Sequence, residues 1–157
     1  MKKYLIALLV AGCGFTPMFS GQNTDVYVPP IRGINGIELR NALNAKFGGV
    51  HDATATYTLT IDLSDPVTTN RALQNTGDAS WREVRLTARY TLTHDDVQIA
   101  SGHESAVETY AFVRYLVAAN ASHNNAVTNV INVLADKISA RVIADTSRYE
   151  QGSVTGQ

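Results

Sequence analysis

The stretch that most limits how this chain can fold runs from Trp81 to about Val107. From Trp81 to Thr93 apolar and polar residues alternate. Val84, Leu86, Ala88, Tyr90 and Leu92 share one face, with Glu83, Arg85, Thr87, Arg89 and Thr91 opposite. That period of two belongs to a strand with one buried side. His94-Asp95-Asp96 supplies a turn, where Asp is favoured for local hydrogen bonding. Val97 to about Val107 returns as the partner strand of a hairpin. Gly102 inside that partner suggests a bulge or a close backbone approach. A hairpin with one apolar face needs an amphipathic cover.

Two segments offer that cover. In the first, Asn35 is a candidate helix cap, with Glu38 three residues later completing a capping box and Ile34 and Leu39 forming the staple. Leu39, Ala42, Leu43 and Phe47 then give an apolar stripe at helical spacing, and Gly48-Gly49 is the stop. A helix is predicted over 36–47. In the second, Val127, Val130, Ile131, Leu134, Ile138 and Val142 mark one face of a helix from about His123 to Asp145. At 1.5 Å per residue it is about 35 Å long, enough to cross a sheet. Asp136, Lys137 and Arg141 argue against a membrane-spanning reading.

Other strands flank these. Val26-Tyr27-Val28 is a brief strand candidate stopped by Pro29-Pro30. From Thr56 to Leu63, Tyr57, Leu59, Ile61 and Leu63 point one way and Thr56, Thr58, Thr60 and Asp62 the other, until Asp65-Pro66. Val67 to Ser80 lacks periodicity and is expected to be a long loop. The order is β-α-β-β-β-α. The expected fold is α+β, a two-layer sandwich with two helices on one face of a four-stranded mixed sheet. The other sheet face, rich in Thr and Arg, stays polar and is the first place to look for function.

The amino-terminal run fixes the cellular context. Met1-Lys2-Lys3 is basic, Tyr4 to Ala11 is apolar or small, and Gly12 precedes Cys13, the one cysteine of the chain. This is the pattern of a secretory signal, and it is far below the roughly 20 residues that span a bilayer. Val10-Ala11-Gly12-Cys13 resembles the lipobox of bacterial lipoproteins, in which the thiol is acylated and becomes the new amino terminus. An ordinary signal peptide ending in a buried thiol is the plainer alternative. One acyl chain holds a protein only marginally, and the two or three of a lipobox cysteine hold it firmly. Residues 1–12 are therefore expected to be a signal peptide and 13–24 a lipid-anchored tether. Residues 25–148 would form the domain and 149–157 a disordered tail. Gly14 stands where Asp usually retains Gram-negative lipoproteins at the inner membrane, so the resemblance implies outer-membrane sorting.

At 157 residues the chain has room for a single core. Its net charge is −1, and losing Lys2 and Lys3 leaves 11 basic residues against 14 acidic, or −3. That balance argues against bulk nucleic-acid binding. The histidines, including His94 and His103, which could lie near one another, carry no metal-site spacing. No nucleophile elbow or phosphate loop occurs, and Glu104 and Glu108 have nothing placing them in a cleft. The sequence reads as a non-enzyme without cofactor or metal. Arg85 and Arg89 fall on one strand face about 13 Å apart, with Arg82 at the strand start. Guanidinium forks bind phosphate bidentately, and lipid head groups carry phosphate. They can equally pair with Glu or Asp on neighbouring strands.

Several short motifs resemble one family. Cys13-Gly14-Phe15-Thr16-Pro17-Met18-Phe19 is similar to the Cys-Gly-Phe-x-Pro-Leu-Tyr start of LptE, the lipopolysaccharide-assembly lipoprotein. Leu39-Arg40-Asn41-Ala42-Leu43 resembles that family's first helix, Arg85 to Leu92 its central strand, and Ala100-Ser101-Gly102 the next strand. Leu134-Ala135-Asp136-Lys137-Ile138 with Arg141-Val142 resembles its last helix. The likeness runs from Cys13 to about Arg148. It departs at Val10, where Leu is commoner, and in the short signal.

The resemblance implies an outer-membrane lipoprotein that plugs and helps assemble the LptD β-barrel and assists lipopolysaccharide delivery. Its domain would sit in the barrel lumen. Arg82, Arg85 and Arg89 then become candidates for binding lipopolysaccharide phosphates. The alternative is a free-standing outer-membrane lipoprotein acting as a ligand-binding or envelope scaffold module.

Overall fold

A computed structural model describes residues 24–73, 79–112 and 115–154. Cys13, the signal segment and all of the tether but Thr24 lie outside them. The strands are β1 (Val26–Tyr27), β2 (Tyr57–Leu63), β3 (Val67–Leu73), β4 (Ala79–His94) and β5 (Val97–Ala111). Helix α1 (Ile34–Lys46) lies between β1 and β2, and α2 (Leu116–Val154) ends the series. The class is α+β as expected, but the sheet has five strands, not four.

Strand β4 is the spine. One of its edges pairs with β5 from Trp81↔Ala111 to His94↔Val97. The other edge is shared end to end. There β2 pairs antiparallel from Tyr57↔His94 to Leu63↔Ala88, and β3 from Val67↔Arg85 to Leu73↔Ala79. At the break before Pro66, Ser64 N–H donates to the Thr87 carbonyl at 2.9 Å and Thr87 N–H donates to Ser64 Oγ at 3.0 Å. Strand β1 adds to β2 in parallel.

The extra strand corrects the expectation of a loop over 67–80, of which 74–78 lie outside the described residues. Strand β3 is an edge strand built of Val67-Thr68-Thr69-Asn70, and Val67 is 59% exposed. Val67 to Arg71 are all exposed, so backbone pairing holds this stretch and no apolar alternation arises. A register irregularity lies between Asn70 and Ala72.

Both helices cover one sheet face. Val84, Leu86, Ala88, Tyr90 and Leu92 of β4 are buried there with Leu59, Leu39, Leu43 and Phe47. Val127, Val130, Ile131, Leu134, Ile138 and Val142 of α2 complete the core, as their spacing predicts. Each fully buried Leu or Ile contributes about 1.5–3 kcal/mol relative to exposure. The helices run the same way. Asn35 and Glu38 share a depression with Asn124 and Thr128, and Lys46 pairs with Asp136 at 2.6 Å farther along.

The start of α1 differs from the capping-box expectation. Gly33 (φ 84°, ψ 169°) is the cap, and its carbonyl accepts from Ile37 N–H at 3.1 Å. Asn35 is therefore inside the helix, no side chain caps it, and Ile34 is 78% exposed and forms no staple. Gly36 packs on Ile31, where an added Cβ would sit 2.8 Å from the Ile31 carbonyl oxygen. The expected glycine stop is present. Gly48 and Gly49 take positive φ, and Gly49 N–H donates to the Asn44 carbonyl at 2.9 Å.

Helix α2 extends well beyond 123–145 and includes Gly152 and Ser153, which composition assigned to a disordered tail. Its last turns gain tertiary partners. Tyr57 Oη donates to Glu150 Oε1 at 3.0 Å, and the Tyr149 ring lies 5.1 Å from that of His94. The hairpin turn is Asp95-Asp96, both with positive φ as a two-residue connection requires. Gly102 is a close approach, not a bulge. The Tyr90 ring covers it, and a Cβ there would meet Tyr90 Oη at 2.8 Å. The irregularity falls beside Thr93, whose partner shifts from the run ending at Ala100 to Gln98.

Candidate functional site

The uncovered sheet face carries rows of short hydroxyl side chains. Thr60, Thr91 and Ser101 form one row, and Thr87 faces Ser105 four positions away along β4. Between these rows lie Asp62, Arg89 and His103, directly paired across three strands. Arg89 is exposed and has no ion-pair partner among the described residues. It lines a shallow depression of about 460 Å³ with Thr87, Thr91, Ser101 and His103.

Arg85 lies on the same face, and there the pairing alternative holds. Its Nη2 donates to Glu83 Oε1 at 3.2 Å. Glu83 is 7% exposed because a second guanidinium closes over it. Arg71 Nε donates to Glu83 Oε2 at 2.8 Å, and Arg71 Nη2 reaches the same oxygen. These bonds, first those from Arg71, hold the Glu83 carboxyl below the ordinary carboxylate range.

Arg82 is not with the other two. It projects from the helix side of the sheet, where its guanidinium stacks 3.7 Å from the centroid of the Phe112 ring. Its Nε is buried with no hydrogen-bond partner among the described residues. A buried donor left unmade costs about 1–3 kcal/mol. Beside it, Tyr110 Oη and His123 Nδ1 are 3.0 Å apart, and Arg82, Tyr110, Phe112, Asn120, His123 and Thr68 line a cavity of about 480 Å³.

His94 and His103, whose strands left open that they lie near one another, are on opposite faces of the sheet. His94 packs between Tyr57 and Tyr149 on the helix side, while His103 is opposite Arg89 on the open face. Glu104 pairs with Arg141 at 3.3 Å. Among the described residues no three His, Cys, Asp or Glu side chains come together as metal ligands, and no helix is long and apolar enough to cross a membrane. Arg71 carries no sequence signal of its role, because it sits in an edge strand without apolar alternation. The β-branched run Val67-Thr68-Thr69 just before it was the available signal. The cavity around Arg82 joins β3, β4, β5 and α2, and no local motif marks it.

No family model matches the sequence, and no curated protein matches it closely. Solved structures do. Rare lipoprotein B from Shewanella oneidensis superposes with a TM-score of 0.62 at 13% identity, over 81% of this chain and 97% of that one. The solution structure of lipoprotein B from Nitrosomonas europaea gives 0.61 at 15% identity, over 78% and 83%. The chain has the fold of these lipoproteins. A minor lipoprotein from Acinetobacter baumannii also aligns, with a TM-score of 0.56 at 14% identity over 80% and 93% of the two chains.

Proposed function

We propose that this chain is an outer-membrane lipoprotein of LptE type, anchored through Cys13, which plugs the LptD β-barrel and helps assemble it. In this role it assists lipopolysaccharide delivery to the cell surface and catalyses no reaction. The observation that carries the reading is the uncovered sheet face. A one-sided domain presenting Thr, Ser and Arg suits the polar interior of a large outer-membrane barrel. The motifs between Cys13 and Arg148, and the fold shared with lipoproteins, support it.

On that face Arg89 is the better placed of the two arginines to take a phosphate, because Arg85 already serves Glu83. Arg82 faces the other way and belongs to a different cavity. Mild detergent extraction from the native host is expected to bring down a stoichiometric large barrel protein. A monomer without one would favour the free-standing lipoprotein. Arg89→Ala is expected to weaken lipopolysaccharide binding about tenfold, and Arg85→Ala by less, in a pull-down on immobilised lipopolysaccharide. Unchanged binding in the double variant removes the open-face contact.

A further inference from the structure

The cavity at Arg82 has a donor set with no internal acceptor of matching charge. None of its lining residues is acidic: they are Thr68, Arg82, Tyr110, Phe112, Leu116, Ala119, Asn120 and His123. Among the described residues no carboxylate pairs with Arg82, and its Nε is both buried and unpartnered. Phe112 occupies one flat side of the guanidinium, so further bonding is left to its edge. The amino end of α2 contributes its first turn to the same cavity through Leu116 and Ala119, and that end of a helix favours negative charge. The Arg82 guanidinium and the amino end of α2 both favour an anionic acceptor there.

We infer that this cavity receives a single carboxylate, the side chain of an aspartate or glutamate presented by a protein partner, on the edge of the Arg82 guanidinium. A carboxylate brings one charge and matches one fork. The surroundings favour protein over lipid. Tyr115, Leu116 and Val117 stand exposed at the start of α2 beside the cavity. An arginine with aromatic and aliphatic neighbours is the composition of an interface centre. The inference does not rest on the barrel reading, because this cavity lies on the helix side of the sheet and the hydroxyl-rich face on the other.

The test is a titration of the isotope-labelled full chain, followed by NMR. The probes are N-acetyl-Phe-Asp-Leu-amide, its Asn analogue, inorganic phosphate, and dihexanoyl phosphatidylglycerol below its micellar concentration. The aspartyl peptide is expected to shift the Arg82 Nε–H resonance and the amides of Ala119, Asn120 and His123 saturably, with the Asn analogue about tenfold weaker. Arg82→Gln is expected to weaken the aspartyl peptide by a similar factor, while Arg148→Gln, an exposed residue at the far end of α2, leaves it unchanged. Equal binding of the Asn analogue, or no loss in Arg82→Gln, overturns the carboxylate. Tighter binding of phosphate or of the short-chain lipid makes this a head-group site and overturns the protein partner. If Arg82→Gln fails to fold, Ala119→Phe, which fills the cavity from α2, must abolish the same shifts for the inference to stand.

Discussion

Glu83 shows how one side chain decides the availability of its neighbours. It sits on the open face and is nevertheless buried, because Arg71 and Arg85 close over it. Its carboxyl is held below the ordinary range, so the clamp stabilises the fold above the unfolded-state value and that contribution is lost as pH falls through the lowered one. Glu83→Gln should therefore lower the melting temperature at about pH 7 and flatten its decline between about pH 5 and 3. Thermal unfolding across that range checks it, and a decline as steep as in the parent protein would count against the clamp. At the opposite end Tyr57 is pushed up to about 12, by burial first and then by its bond to Glu150. Its raised value means that the folded state holds the phenol proton longer than the unfolded chain. The associated stability is present below about pH 10 and lost as pH rises toward 12. In Glu150→Gln, phenolate absorbance should show Tyr57 titrating lower than in the parent, yet still above an ordinary tyrosine, because burial remains.

The elements differ in how they manage exposed backbone. Strand β5 is an edge. Thr87 spends its N–H and carbonyl on Ser64, away from β5, so the facing Ser105 directs its own groups outward. Lys137 of α2 reaches over and donates to the Ser105 carbonyl at 2.7 Å. A lysine over an unpaired rim opposes pairing with a second chain. Lys137→Ala should leave the melting temperature nearly unchanged, as for an exposed contact, while light scattering during heating rises earlier. Strand β1 is kept short in another way, since Pro29 and Pro30 follow it and Arg40 Nε donates to the Val28 carbonyl at 2.8 Å. Elements that bury an apolar stripe were legible from sequence: β2, β4, β5, the body of α1 and the middle of α2. What was not legible depends on partners distant in the chain. In β3 the residues Val67 to Arg71 are all exposed and impose no alternation. The last turns of α2 hold through Tyr149 and Glu150, which meet His94 and Tyr57. On the open face, the hydroxyl rows and Arg89 followed from alternation alone. Arg82 belongs by strand parity with Val84 and Leu86 on the covered side, away from Arg85 and Arg89.

The molecule as a whole is a long slab with unlike ends. Strand β4, at 16 residues, is about 50 Å from end to end. One pole holds the hairpin turn, the first described residue and the close of α2, tied by Tyr57, His94, Tyr149 and Glu150. The other holds β3, the start of both helices and the Arg82 cavity. Ending the chain after Ser147 should loosen the first pole, exposing Tyr57 and lowering its phenol value, while amide protection of Ala119 to His123 at the second is retained. Hydrogen exchange resolves the two. The arrangement also fixes reach. The described chain begins at Thr24 on the near pole, so an anchor at Cys13, as proposed, would join from that side and leave the Arg82 cavity roughly the slab's own length, about 50 Å, from where the domain is entered.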